Sequence, residues 1–134
     1  MKKKTVAIIV MVVAVLMLGI YMVYDNIFPK AKPIKQLEIS MIESVALSDN
    51  GDNAIVITDE ELQKLLSYIN GAEATRTMSV NDYPSARPYY VLEIKTAERV
   101  FRYMIYEENG TSYAEIPYEG VYEIDSEAVE ILEQ

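Results

Sequence analysis

From Val6 to Tyr24 the chain reads VAIIVMVVAVLMLGIYMVY, nineteen residues without a charge. At about 1.5 Å per residue, a helix of that length reaches roughly 28 Å, close to the hydrocarbon thickness of a bilayer. Inside lipid a backbone has to satisfy its own polar groups, and a single segment does so only as a helix. A secretory signal carries a shorter apolar stretch, about 7–15 residues, ending at a small-x-small site. The best such site here, after Ala31, would place Pro29 at the −3 position. Tyr21 and Tyr24 stand where interfacial aromatics belong, and Asp25 closes the run. The expectation is a cytoplasmic stub and retained signal anchor over residues 1–27, with a cleaved signal as the alternative.

Orientation rests on flanking charge. Lys2, Lys3, Lys4 and the amino terminus precede the run, and Lys30, Lys32 and Lys35 follow it, a margin of one. The opening Lys-Lys-Lys has the form of an export n-region. The chain is therefore read as single-pass in the cell membrane, with a cytoplasmic N-terminus and an extracytoplasmic domain. The run holds no Gly-x-x-x-Gly pattern that would support helix dimerisation.

Residues 28–35 contain FPKAKP, whose two prolines and two lysines suit neither a helix nor a strand interior, and they are expected to form a linker. Residues 36–134 are the folded domain. It is acidic: six Lys and Arg stand against twenty Asp and Glu, a net charge of −14. Phosphate neutralisation by Lys and Arg dominates affinity for nucleic acid, so this balance argues against a nucleic-acid partner. The absence of Cys and His removes disulfides, thiolate nucleophiles, and the commonest general base and metal ligand. No cofactor is expected.

Periodicity sets out the domain. In LEISMIESVAL, Leu37, Ile39, Met41, Val45 and Leu47 share one parity, the pattern of a half-buried strand. SDNGDN is a turn and residues 54–57 a second strand. Thr58-Asp-Glu-Glu61 matches a capping box, and Leu62, Leu65, Leu66 and Ile69 then form one apolar helix face. Asn70-Gly71 ends that helix in the manner of a left-handed cap. Further on, a two-residue turn at Ala97-Glu98 sets Ile94 against Phe101, Leu92 against Tyr103, Tyr90 against Ile105 and Glu93 against Arg102. Asn109-Gly110 is a type I′ turn signal, and it aligns Ile105 with Ala114 and Tyr103 with Ile116. Both turns put the same face inward, the agreement expected of a real meander. Asp125 or Ser126 caps a last helix with Ala128, Val129 and Leu132. The fold class is α+β: an antiparallel sheet of five to six strands, a helix packed on one face and a short C-terminal helix.

TDEEL, SVNDYP, RVFRYMIYE and YAEIPYEGVYEID together resemble a family of small, membrane-anchored or secreted proteins of Gram-positive bacteria whose function is unknown. The likeness runs from about Leu37 to Leu132, and its most specific parts are Ser79 to Asp82 and Glu115 to Tyr122. The resemblance implies a bacterial, extracytoplasmic setting and carries over no activity or catalytic residue.

Several chemistries can be weighed against these residues. From Asp49, an EF-hand loop would need Gly at its sixth position and Glu at its twelfth; Glu60 meets the second requirement, but Ala54 stands where the Gly is needed and the pattern fails. A turn is the better reading, and no metal site is expected. Carboxylates are numerous enough for a glycosidase pair, but nothing signals a deep cleft. Without His, a Ser or Thr nucleophile would need Lys64 or Lys95, one on an exposed helix side and one beside a hairpin turn. No catalytic residue is assigned. The tyrosines are more telling. The hairpin register places Tyr89, Tyr106 and Tyr113 across from one another on the face opposite the core, with Met104 beside them and Arg102 at the margin. Exposed, such a row would be a recognition strip for a protein, peptide or envelope glycan. Covered by a helix or by the segment 79–88, it would be a second core. The function expected is a non-enzymatic binding module, the alternative an accessory subunit or inhibitor of an envelope enzyme.

Overall fold

The computed structural model describes residues 2–134. They divide into two compact units, one ending at Lys30 and the other spanning Ala31–Gln134. The first unit is a helix, α1 (Lys2–Ile27), with no buried residue. It is long and apolar enough to cross a membrane or to act as a signal sequence.

The second unit is an antiparallel sheet of seven strands: β1 (Ile42–Asp49), β2 (Asn53–Ile55), β3 (Glu73–Ala74), β4 (Tyr89–Thr96), β5 (Val100–Glu108), β6 (Thr111–Ile116) and β7 (Gly120–Ile124). Their spatial order is β2-β1-β4-β5-β6-β7-β3. The count exceeds the five to six expected because β3 is two residues long, too short to carry an alternating pattern. Both hairpin turns place the strands as their chemistry dictates. Ile94 faces Phe101, Leu92 faces Tyr103 and Tyr90 faces Ile105, and Ile105 faces Ala114. Asn109 and Gly110 have φ of 51° and 77°, the pair of positive angles a type I′ turn requires.

Two helices, α2 (Asp59–Asn70) and α3 (Glu127–Leu132), supply core residues to one sheet face. Thr58 Oγ accepts from the Glu61 amide at 3.2 Å, while the Glu61 carboxylate accepts from the Thr58 amide at 2.8 Å, completing the capping box. The cap holds the Glu61 carboxyl below its ordinary range, chiefly through the Thr58 amide. Leu65, Leu66 and Ile69 share one buried cluster with Leu92, Ile94, Tyr103 and Ile105. Each such apolar side chain contributes about 1.5–3 kcal/mol by leaving water.

Three expectations require correction. Ile39–Met41 form a single 3₁₀ turn, and Ile39 and Met41 are exposed, so β1 begins only at Ile42. Gly71, at φ −89°, is not left-handed. The helix end is held instead by Asn70, whose Nδ2 donates to Leu37 O at 2.8 Å and whose Oδ1 accepts from the Leu37 amide at 3.0 Å. Finally, residues 31–35 are not a free spacer. Ile34 is buried, Ala31 donates to Thr75 O, and Lys32 O accepts from the Tyr122 hydroxyl at 2.6 Å. Gly120 is needed beneath this strap, because a Cβ there would overlap the Cβ of Ala31.

Candidate functional site

On the face away from the helices, β4 and β5 present Tyr89, Val91, Met104 and Tyr106, which pack together with Ala86 and Tyr113 against them. Tyr89 and Tyr106 pair directly across the strands, as do Tyr106 and Tyr113. The row expected from the register therefore exists, but its exposure does not. Tyr89 is 5 % exposed, Tyr106 6 % and Met104 0 %, while Tyr113 is half-buried. Arg102 alone of the five is exposed, and its Nε and Nη2 both donate to Glu93 Oε1, at 3.0 and 2.6 Å. The row is a second core.

The segment joining β3 to β4 covers it. Pro84 is buried, the Tyr83 ring lies 6.0 Å from that of Tyr89, and the Arg87 guanidinium sits 4.5 Å over the Tyr89 ring. Asn50 fastens the far end, accepting from the Tyr89 amide on Oδ1 at 3.1 Å and from the Tyr89 hydroxyl on its carbonyl at 3.0 Å.

Glu115 is the polar centre of this second core. Its side chain lies on the same face of β6 as Tyr113, and it is 7 % exposed. Ser79 Oγ donates to Oε1 at 2.6 Å and the Tyr106 hydroxyl to Oε2 at 3.1 Å. Ser79 Oγ also accepts from the Tyr118 amide at 3.2 Å, and the Tyr118 hydroxyl donates to Asp82 Oδ1 at 2.8 Å. Burial and the adjacent Glu115 carboxylate, in that order, push the Tyr106 phenol far up, so it stays a donor. Tyr118 holds φ at 63°, a strained angle for a bulky residue. Sequence reasoning missed Glu115 and Ser79 as partners. The signal available was a carboxylate on the inward parity of a strand, two residues from Tyr113, which needs a donor from elsewhere.

Beside this network lies a cleft of about 190 Å³ lined in part by Met78, Val80, Tyr83, Tyr106, Glu108 and Glu115. Met78, Val80 and Tyr83 are 77 %, 61 % and 51 % exposed, although each is large and apolar. The two lysines available as general bases are far from buried: Lys64 lies 3.7 Å from Glu60 and Lys95 3.7 Å from Glu43, both at the surface. Among the described residues, no three carboxylates stand where they could hold a metal ion.

The family model described as "Domain of unknown function (DUF5300)" matches residues 24–123, well over half the chain. The chain belongs to this family. The two stretches most specific in the sequence resemblance, Ser79 to Asp82 and Glu115 to Tyr122, are the ones that meet in the Ser79–Glu115 and Tyr118–Asp82 contacts. A solved structure, "NMR structure of the protein from Ruminococcus gnavus", is similar at 32% sequence identity and a TM-score of 0.55. The match covers 72% of this chain and 97% of that one. No curated protein matches the chain.

Proposed function

We propose that residues 31–134 form a non-enzymatic binding module for a protein or peptide, tethered by α1 on the outer side of a bacterial membrane. One observation carries this reading. The segment that closes the second core turns Met78, Val80 and Tyr83 outward around a cleft, while Ser79 between them is fixed inward on Glu115. Apolar side chains held out this far from a firmly anchored segment cost solubility, and they suit a partner's apolar surface. A glycan partner has less support, because the tyrosine row that would have stacked sugar rings is covered. The outward orientation of the domain rests on the lysines before α1 and on the form of the n-region.

The test is site-specific photocrosslinking in the native host. A crosslinker at position 83 should capture one discrete partner, and Val80→Asp should abolish that product while leaving expression unchanged. A crosslinker at position 64, on the exposed side of α2, should give none. Identical products from both positions, or none from position 83, would contradict the reading.

A further inference from the structure

β5 is longer than the strand beside it. It pairs with β4 from Lys95↔Val100 to Tyr89↔Tyr106, but its pairing with β6 begins only at Met104↔Glu115. The cause is chemical. After Ile116 comes Pro117, which has no amide hydrogen to continue the ladder. The chain then turns back toward β7, the Glu119 amide donating to Ile116 O at 3.0 Å.

The parity of an antiparallel ladder says which backbone groups this leaves over. The Thr96 amide donates to Arg99 O at 3.0 Å, so Thr96 and Arg99 are a hydrogen-bonded pair. Two and four residues further along, Phe101 and Tyr103 direct their N–H and C=O groups to β4. Val100 and Arg102 direct theirs to the other side, where β6 has already ended. Counting back from the Asn109-Gly110 turn gives the same parity.

A groove of about 420 Å³ occupies that place, with residues 99–103 on one wall, residues 116–119 on the other and Asp82 at the rim. Val100 and Tyr118 line it with exposed apolar surface. Arg99 is among the residues that line it, its guanidinium 4.2 Å over the Phe101 ring. Stacking by the face leaves the N–H edge of a guanidinium to bind a carboxylate.

We propose that this groove receives an extended stretch of another polypeptide, about three residues long, which adds to β5 as a short strand and offers Arg99 a carboxylate. Two N–H and C=O sets, two residues or about 6.6 Å apart, are matched by a partner backbone in the same extended form. A rigid small molecule has no reason to carry that repeat. The exposed Val100 and Tyr118 side chains receive alternate side chains of the incoming strand. The surface is distinct from the Met78–Val80–Tyr83 cleft, although Ser79 and Asp82 of the segment that carries the cleft hold Tyr118 at the groove wall.

Selection of phage-displayed random heptapeptides on the full chain in nanodiscs tests this. Recovered peptides should contain Asp or Glu, and on ¹⁵N-labelled full chain they should shift the Val100 and Arg102 amides most. N-methylation at alternate peptide positions should weaken binding at least about fivefold per lost hydrogen bond, and at the intervening positions should not. Arg99→Gln, an exposed change, should weaken acidic peptides several-fold, about the worth of one charge-assisted contact. Failure to recover any peptide, shifts centred instead on Met78, Val80 and Tyr83, or indifference to the N-methylation pattern would overturn the proposal. Shifts at those three residues would at the same time support the cleft as the binding surface.

Discussion

Glu115 carries the largest electrostatic liability in the second core. A carboxylate 7 % exposed must be met by donors, and here both of its oxygens accept from hydroxyls, Ser79 on Oε1 and Tyr106 on Oε2. Removing the shorter bond strands an acceptor and also frees the Tyr118 amide that Ser79 Oγ accepts. Ser79→Ala should therefore lower stability by about 1.5–3 kcal/mol, the range for hydrogen bonds to charged groups. Urea denaturation of the full chain in detergent micelles checks this, and Ser79→Thr, which keeps the hydroxyl, should recover part of the loss. Tyr103, in the helix-side core, offers a pH test. Burial pushes its phenol up to about 12, against about 10 in the unfolded chain. The unfolded state then loses its proton first, so the stabilisation is intact below about pH 10 and declines as pH rises toward 12. Urea midpoints that stay constant from pH 9 to pH 11.5 would contradict that assignment.

Local elements differ in how plainly the sequence announces them. The capping box at Thr58 and the turns at Ala97-Glu98 and Asn109-Gly110 were legible because the residues that specify them lie within four positions of one another. With the turns known, the alternation of β4, β5 and β6 fixed the register, including the Arg102–Glu93 pair at 2.6 Å. The end of α2 was not legible, because Gly71 suggested a left-handed cap and the real partner of Asn70 is Leu37, distant in sequence. That amide makes the reciprocal pair a sheet residue would make, and it fastens the segment before β1 to the helix end. Asn70→Ala leaves both polar groups of the buried Leu37 without partners and should cost about 2–3 kcal/mol. Asn70→Asp, which keeps one acceptor and removes the donor, should fall between it and the native protein in the same denaturation assay.

At the scale of the whole molecule, the sequence supplied the apolar N-terminal helix, the α+β class and the sheet meander, but left open whether the tyrosine row was exposed or covered. The row is made by short-range register. Its cover comes from residues 75–88, a segment with no periodicity whose place depends on Ser79 reaching Glu115, 36 positions away. Composition made Tyr89, Tyr106 and Tyr113 a candidate recognition strip, whereas tertiary packing made them a second core and moved the exposed apolar surface to Met78, Val80 and Tyr83. The tether makes a separate claim. With α1 retained, the protein should stay in the membrane fraction through alkaline carbonate extraction and leave it only with detergent, whereas a soluble mature form beginning near Lys32 would mean that α1 is cleaved. The second core is the claim on which the placement of every candidate surface depends, and the denaturation midpoint of Tyr106→Ala tests it most directly. A buried aromatic truncated beneath the covering segment should cost about 3–5 kcal/mol and sharply lower the midpoint. A midpoint indistinguishable from the native protein would mean that the row is exposed and the segment 75–88 does not close over it.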